Sequence, residues 1–329
     1  MTNVIAFAIL SAIKIGIVIG VLLLVIAYLI WIERKVMAHM QVRLGPMRVG
    51  WHGLLQPIAD GLKLILKEDI IPANASKILF VLSPAIAMVP ALLAIAVIPF
   101  GDTISIMGVS IDMVITDVNI GILFILAVSS VGVYGILLGG WSSNNKYSLL
   151  GGLRSSAQMI SYELSMGLSL IGVIMMTESL SLVDTVNAQA NLWFVVLQPV
   201  AFVVYAISAI AETNRCPFDL PEAETELVSG FHTEYSSMKF ALFFMAEYAN
   251  IITVSAVGVT FFLGGWRGPF LPPVVWFLIK MAMCIFFFVW LRSTFPRFRI
   301  DQLMKFAWKV LLPVAVVNVL ITGIVMSLL

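Results

Sequence analysis

The sequence predicts an all-α integral membrane protein of about eight transmembrane helices, with one more amphipathic helix lying in the cytoplasmic interface. Three observations carry that prediction. Of 329 residues, 61% are hydrophobic and 11% charged, against about 25% charged in an average soluble domain, so the bilayer has to act as solvent. Eight apolar stretches recur, most of them long enough to cross a hydrocarbon core of roughly 30 Å with about 20 residues. Lysine and arginine collect in alternate connections, as the positive-inside rule requires.

The spans fall at about 4–32, 78–100, 118–140, 156–177, 192–211, 239–263, 273–294 and 306–328, within a single membrane domain over 1–329. The first run exceeds the 7–15 apolar residues of a signal peptide and ends in Glu33-Arg34-Lys35, so it reads as a retained helix. Between spans one and two lie Arg34, Lys35, Arg43, Arg48, Lys63, Lys67 and Lys77, whereas residues 101–117 carry three aspartates and no basic residue. The alternation continues, placing sixteen of the nineteen basic residues on one side. That side is the cytoplasm, and both termini are expected in the periplasm. Tryptophans cluster near span ends, as an aromatic belt predicts.

Residues 51–67 repeat Leu54, Leu55, Ile58, Leu62, Ile65 and Leu66 at three- and four-residue spacing, with Gln56, Asp60, Lys63 and Lys67 opposite. This is the pattern of a helix in the interface plane, either a packing strut or the border of a site. Gly16-xxx-Gly20 and Gly135-xxx-Gly139 permit close helix approach, and Pro84, Pro90, Pro199 and Pro313 predict kinks. Lys14 and Lys280 fall within spans and are read as snorkelling outward.

Two carboxylates defy the cost of about 2.5–3.5 kcal/mol for an acid at mid-bilayer. Glu163 lies about eight residues into span four and Glu247 about nine into span six, roughly 11–13 Å below the cytoplasmic surface at 1.5 Å per residue. Glu212 closes span five on the same side. Three acids at neighbouring depths read as a polar file, or as separate acids each neutralised by a cation such as Arg154 or Arg292. The loop over 212–238 then adds Asp219, Glu222, Glu224, Glu226 and Glu234, mixed with Phe218, Phe231, His232 and Tyr235. Crowded carboxylates can hold or pass protons near neutrality. Cys216 and Cys284 form no CxxC, and no GxGxxG or Walker loop occurs, so the chain is expected to bind no metal and no redox cofactor. A net charge of +1 suggests no nucleic-acid role.

The stretch ETNRCPFDLPEAETELVSGFHTEYSSMKFALFFMAEYAN closely resembles the signature of the NuoH family of respiratory complex I, equivalent to mitochondrial NADH dehydrogenase subunit one. So do Glu33-Arg-Lys with RLGPMRVGWHGLLQPIADGLKLILKE, GWSSNNKYSLLGGLRSSAQMISYE and RSTFPRFRIDQLMK. The resemblance spans essentially the whole chain. It implies a membrane subunit of a multi-subunit NADH:quinone oxidoreductase, a translocase of the bacterial inner membrane. Such a subunit would form the quinone-binding chamber and couple quinone reduction to ion translocation, with protons as the expected ion. No catalytic residue would lie in this chain alone, and FMN and iron–sulfur clusters would sit in partner subunits. Those partners would be the peripheral-arm quinone-site and terminal iron–sulfur subunits, small membrane subunits and antiporter-like subunits.

By the same resemblance, Arg34, Lys35, Asp60, Lys63 and the 212–235 loop border the chamber. Glu163, Glu212 and Glu247 begin a buried line of carboxylates, and Glu222, Glu224, Glu226 and Glu234 form the acidic loop. Arg292 and Arg297 are its basic counterparts, and Phe218, Asp219, Phe231, His232 and Tyr235 lie along the cavity. One departure is that span three carries no acid, leaving Ser129, Ser130 and Tyr134 to hold water there. Two rivals remain: the membrane anchor of an energy-converting hydrogenase, and a stand-alone secondary transporter.

Overall fold

A computed structural model describes residues 2–106, 109–111, 113–220 and 224–328. Helix α1 (Thr2–Met40) runs 39 residues, about 58 Å at 1.5 Å per residue, and so projects well beyond a hydrocarbon core. The short α2 (Gln56–Leu66) follows, with Pro57 at its first turn, where the missing N–H costs nothing. Helix α3 (Lys77–Ala94) contains Pro84 and Pro90. A two-stranded antiparallel ribbon, β1 (Ile104–Ile106) and β2 (Val109–Ile111), is the one sheet among the described residues. Helices α4 (Gly121–Ser142) and α5 (Lys146–Thr177) pack side by side, α5 being capped by the Asn145 side chain, which accepts from Tyr147 N–H.

After α6 (Leu182–Ala188) the fifth apolar stretch is broken. A single turn, α7 (Phe194–Leu197), precedes Gln198, and α8 (Pro199–Glu212) then runs 14 residues. The break falls one residue before Pro199, which cannot donate into a continuing helix. Gln198 fills the gap by donating to Thr322 Oγ1 at 2.7 Å and accepting from Asn318 at 2.9 Å. One turn, α9 (Glu224–Leu227), leads to α10 (Ser237–Phe262) and α11 (Pro273–Thr294). Helix α12 (Ile300–Phe306) passes through a π segment at Ala307–Leu311 into α13 (Leu312–Leu328). That widened turn lies just before Pro313, whose ring would otherwise meet the preceding carbonyl.

Among the described residues, seven helical segments are long and apolar enough to cross a membrane, and α8 is a shorter apolar helix. The chain is therefore an all-α membrane protein of about eight spans. Its main core joins α3, α4, α5 and α10, and a second cluster around Tyr162, Ile210, Phe218 and Leu303 fills the space under α8 and α12. Gly135 makes the α3–α4 contact possible, since a Cβ there would stand 2.6 Å from Ala87 N, whereas Gly16 and Gly20 face open space. Lys280 does not snorkel. It is 4% exposed and its Nζ donates to the carbonyls of Leu263, Gly265 and Arg267 at 2.6–3.0 Å, beneath the Trp193 ring. Those carbonyls follow the end of α10, where partial negative charge gathers.

Candidate functional site

Helix α1 brings Glu33 into the interior, where it is 4% exposed. It accepts from Arg215 at 3.1 Å, from Tyr248 Oη at 2.5 Å and from Arg292. Arg215 also pairs with Glu247 and lies over the Tyr248 ring, 4.5 Å from its centroid. Two carboxylates thus meet two guanidiniums at the junction of α1, α10, α11 and the turn after α8. Paired charges with satisfied hydrogen bonds are the form in which ions survive burial.

Glu212 and Glu163 differ. Neither has an ion pair among the described residues: Arg154 pairs with Glu226 at 2.8 Å and Arg292 with Glu33. Glu163 accepts from the Ser130 hydroxyl. Glu212, 7% exposed, has Ser129 beside it and lies within electrostatic reach of Glu163. Span three therefore contributes Ser129 and Ser130 to the two acids, while Tyr134 is 61% exposed on the outer surface of α4. Acids held by hydroxyls can exchange a proton without breaking an ion pair.

Glu212 is buried because α8 stops early. Its final carbonyls need donors, and Gln158 of α5 donates to Ala211 O at 2.7 Å and to Phe218 O at 2.8 Å. The turn it holds presents Arg215 to the paired acids. Phe218 packs between Tyr162 and Phe298, and Asp219 pairs with Arg297 at 3.1 Å. Arg297 is thus a counterpart of Asp219, and Arg292 pairs with Glu33.

Within the loop, Glu226 takes Arg154, and Glu234 accepts from Asn145 at 2.6 Å. Glu222 lies outside the described residues; Glu224 opens α9. Phe231, His232 and Tyr235 turn inward. Phe231 and Tyr235 both meet Phe243 edge-on, and Tyr235 stacks on Phe80 at 4.0 Å. Burial pushes the Tyr235 phenol above its ordinary value, eased by Ser142 and Ser83. His232 sits edge-on to Phe231 and Phe240 and shares a cavity of about 40 Å³ with Glu212 and Glu247.

A separate group forms where α2 meets α1 and α10. Arg34 pairs with Asp60 at 2.7 Å, and Ser237 Oγ donates to Leu64 O at 3.0 Å. Lys35 Nζ approaches Met47 Sδ at 2.7 Å, and Lys63 is exposed. Asp60 on the polar face of α2 thus bonds to α1, while Leu55, Ile58, Leu62 and Ile65 are each at least half exposed. An apolar groove of about 890 Å³ opens between α8, α10 and α11, lined by Phe202, Phe218, Phe287, Phe288 and Phe295. Phe288 also walls the small cavity at Glu33, Arg215 and Arg292. Among the described residues no group of His, Cys, Asp and Glu is arranged to hold a metal, and both cysteines are free.

Sequence reasoning missed Glu33, Arg215 and Tyr248. In the sequence Glu33 and Arg215 look like charges marking span ends, and Tyr248 is adjacent to Glu247. The available signal was one acid directly before two cations at the end of an over-long helix.

Residues 13–323 match the family described as NADH dehydrogenase. The NADH-quinone oxidoreductase H subunit numbered 1 in Geobacter sulfurreducens is 59% identical over 328 residues, covering 96% of this chain and 94% of the relative. The H subunit numbered 2 in Syntrophobacter fumaroxidans is 55% identical over 310 residues, covering 94% of each. The one numbered 2 in Rhizobium meliloti is 52% identical over 316 residues, covering 95% of this chain and 96% of the relative.

Proposed function

We propose a function from one premise: the chain belongs to the NADH dehydrogenase family, among the H subunits of NADH-quinone oxidoreductase. It is a membrane subunit of that oxidoreductase. Within it, the chain forms the quinone-binding chamber on the cytoplasmic side of the inner membrane and couples quinone reduction to proton translocation. Partner subunits of the peripheral arm deliver the electrons from NADH through FMN and iron–sulfur clusters. Antiporter-like neighbours carry the ions.

The observation that carries this reading is the contiguity of two kinds of acid. Glu247, joined to Glu33 through Arg215, lines the same small cavity as Glu212, and Glu163 lies within electrostatic reach of Glu212; neither Glu212 nor Glu163 has a cation partner among the described residues. Reduction of a quinone takes two electrons and two protons and passes through anionic forms. An anion arriving near Arg215 and Arg292 competes with Glu33 and Glu247 for the guanidiniums. A released carboxylate then takes up a proton, which Glu212 and Glu163 pass on. The apolar groove that ends at Phe288 has the character a lipid-soluble tail requires, and α2 with its exposed apolar face fits a lipid-side border.

Glu247→Gln tests this in the assembled complex. The variant is expected to assemble and to oxidise NADH with an artificial acceptor, while NADH-driven quinone reduction and proton uptake fall about tenfold or more. Coupled activity at the wild-type level would overturn the role.

A further inference from the structure

Asn250 lies one helical turn beyond Glu247 on α10, facing the same side. Two internal cavities flank Glu212. The larger, about 40 Å³, has Glu212, Glu247, Thr213, Asn214 and His232 in its wall. The smaller, about 20 Å³, has Glu212, Ser129, Tyr205 and Thr253. Both exceed the roughly 10–15 Å³ that one water needs. Among the described residues, just two, Glu212 and Asn250, line both.

The walls also need water. Glu212 Oε2 and Thr253 Oγ1 have no hydrogen-bond partner among the described residues, although the side chains are 7% and 4% exposed. Buried polar atoms in folded proteins are almost always bonded to protein or to ordered water, and a buried water makes two to four such bonds. An amide suits the point between two waters, since it both donates and accepts and carries no charge to trap a proton.

We propose that Asn250 is a positioning residue that holds a water on each side of Glu212 and so joins Glu247 to Glu212 by a hydrogen-bonded path. This rests on the reading of the acids as a coupling line. Glu247 and Glu212 stand on different helices, and a proton crossing between them passes along waters oriented by the Asn250 amide. The smaller cavity gives Glu212 a second water on the side of Ser129.

The test uses the intact complex in sealed vesicles, with Asn250→Leu, Asn250→Ser and Glu212→Gln made in parallel. Leucine keeps the size of the side chain and removes its donors and acceptor. NADH-driven quinone reduction and vesicle acidification are expected to fall together by about tenfold or more, with the KM for quinone and the NADH–ferricyanide rate unchanged. Serine, shorter by one amide group and able to bind an added water, is expected to restore most of the lost kcat. An Asn250→Leu complex at the wild-type rate would overturn the proposal. So would a serine variant no better than leucine, or failure of both to assemble, either of which makes Asn250 a packing residue. If Asn250→Leu alone fails to assemble, the serine rate decides. Wild-type pumping by Glu212→Gln would instead remove the coupling line itself, whereas an impaired Glu212→Gln beside an unimpaired Asn250→Leu removes the bridge alone.

Discussion

Arg215 is the side chain on which the buried charge depends. Its guanidinium presents several donors in a fixed plane, and it uses them on Glu33 and Glu247 while its face covers Tyr248. A buried acid stripped of its partner costs about 3–5 kcal/mol. Arg215→Ala leaves Arg292 on Glu33 but takes the guanidinium away from Glu247. The complex carrying it is expected to lose about 3–5 kcal/mol of stability, read as a lowered thermal unfolding midpoint in detergent. Tyr248→Phe removes one hydrogen bond to a charged acceptor and should cost less, about 1.5–3 kcal/mol. Equal stability of Arg215→Ala and wild type would mean that Glu247 is solvated from outside. Glu163 and Glu247 stood out in the sequence because an acid inside an apolar run is costly, and Glu212 was read with them because it ends its span at a neighbouring depth. Glu33 and Arg215 were not, because a charge at a span end satisfies the topology rule whether it points to water or inward.

Among the elements, α8 sets the depth of the site. Its 14 residues span about 21 Å, short of a roughly 30 Å core, so the turn over 213–220 re-enters the bundle and Gln158 satisfies the exposed helix end. Apolarity alone marks a span over 192–211 but not where its helix breaks, because Leu197 and Val200 on either side of the break are equally apolar. Gly135-xxx-Gly139 marked α4 as a helix of close approach, but not that Gly135 meets α3 while Gly139 faces Phe243. Gly135→Ala would bring a Cβ against Ala87 N at 2.6 Å, backbone that cannot yield locally, whereas a Cβ on Gly132 in the same helix meets nothing within 4 Å. Overpacking of this kind costs about 1–3 kcal/mol. Gly135→Ala is expected to lower the unfolding midpoint and Gly132→Ala to leave it in place; equal midpoints would show that α3 and α4 separate freely.

At the scale of the whole molecule, the distribution of charge is what the proposed orientation rests on. On the spans read from the sequence, sixteen of nineteen basic residues fall on one side, and each would oppose translocation across an energised membrane by about 2.3 kcal/mol per 100 mV. By the same reading Glu212, Arg215, α2 and the acidic loop fall on that side, so the proposed orientation and the proposed quinone chamber stand or fall together. With Cys216 and Cys284 replaced by serine, single cysteines at Arg43→Cys and Asp102→Cys, both exposed positions, report the two faces. A membrane-impermeant maleimide added to intact spheroplasts is expected to label the cysteine at 102 and spare the one at 43, with the reverse in inverted vesicles. Labelling of position 43 from outside would put the paired acids on the periplasmic face. They would then lie beyond reach of subunits that oxidise NADH in the cytoplasm, and the chamber would have to be assigned to another part of the complex.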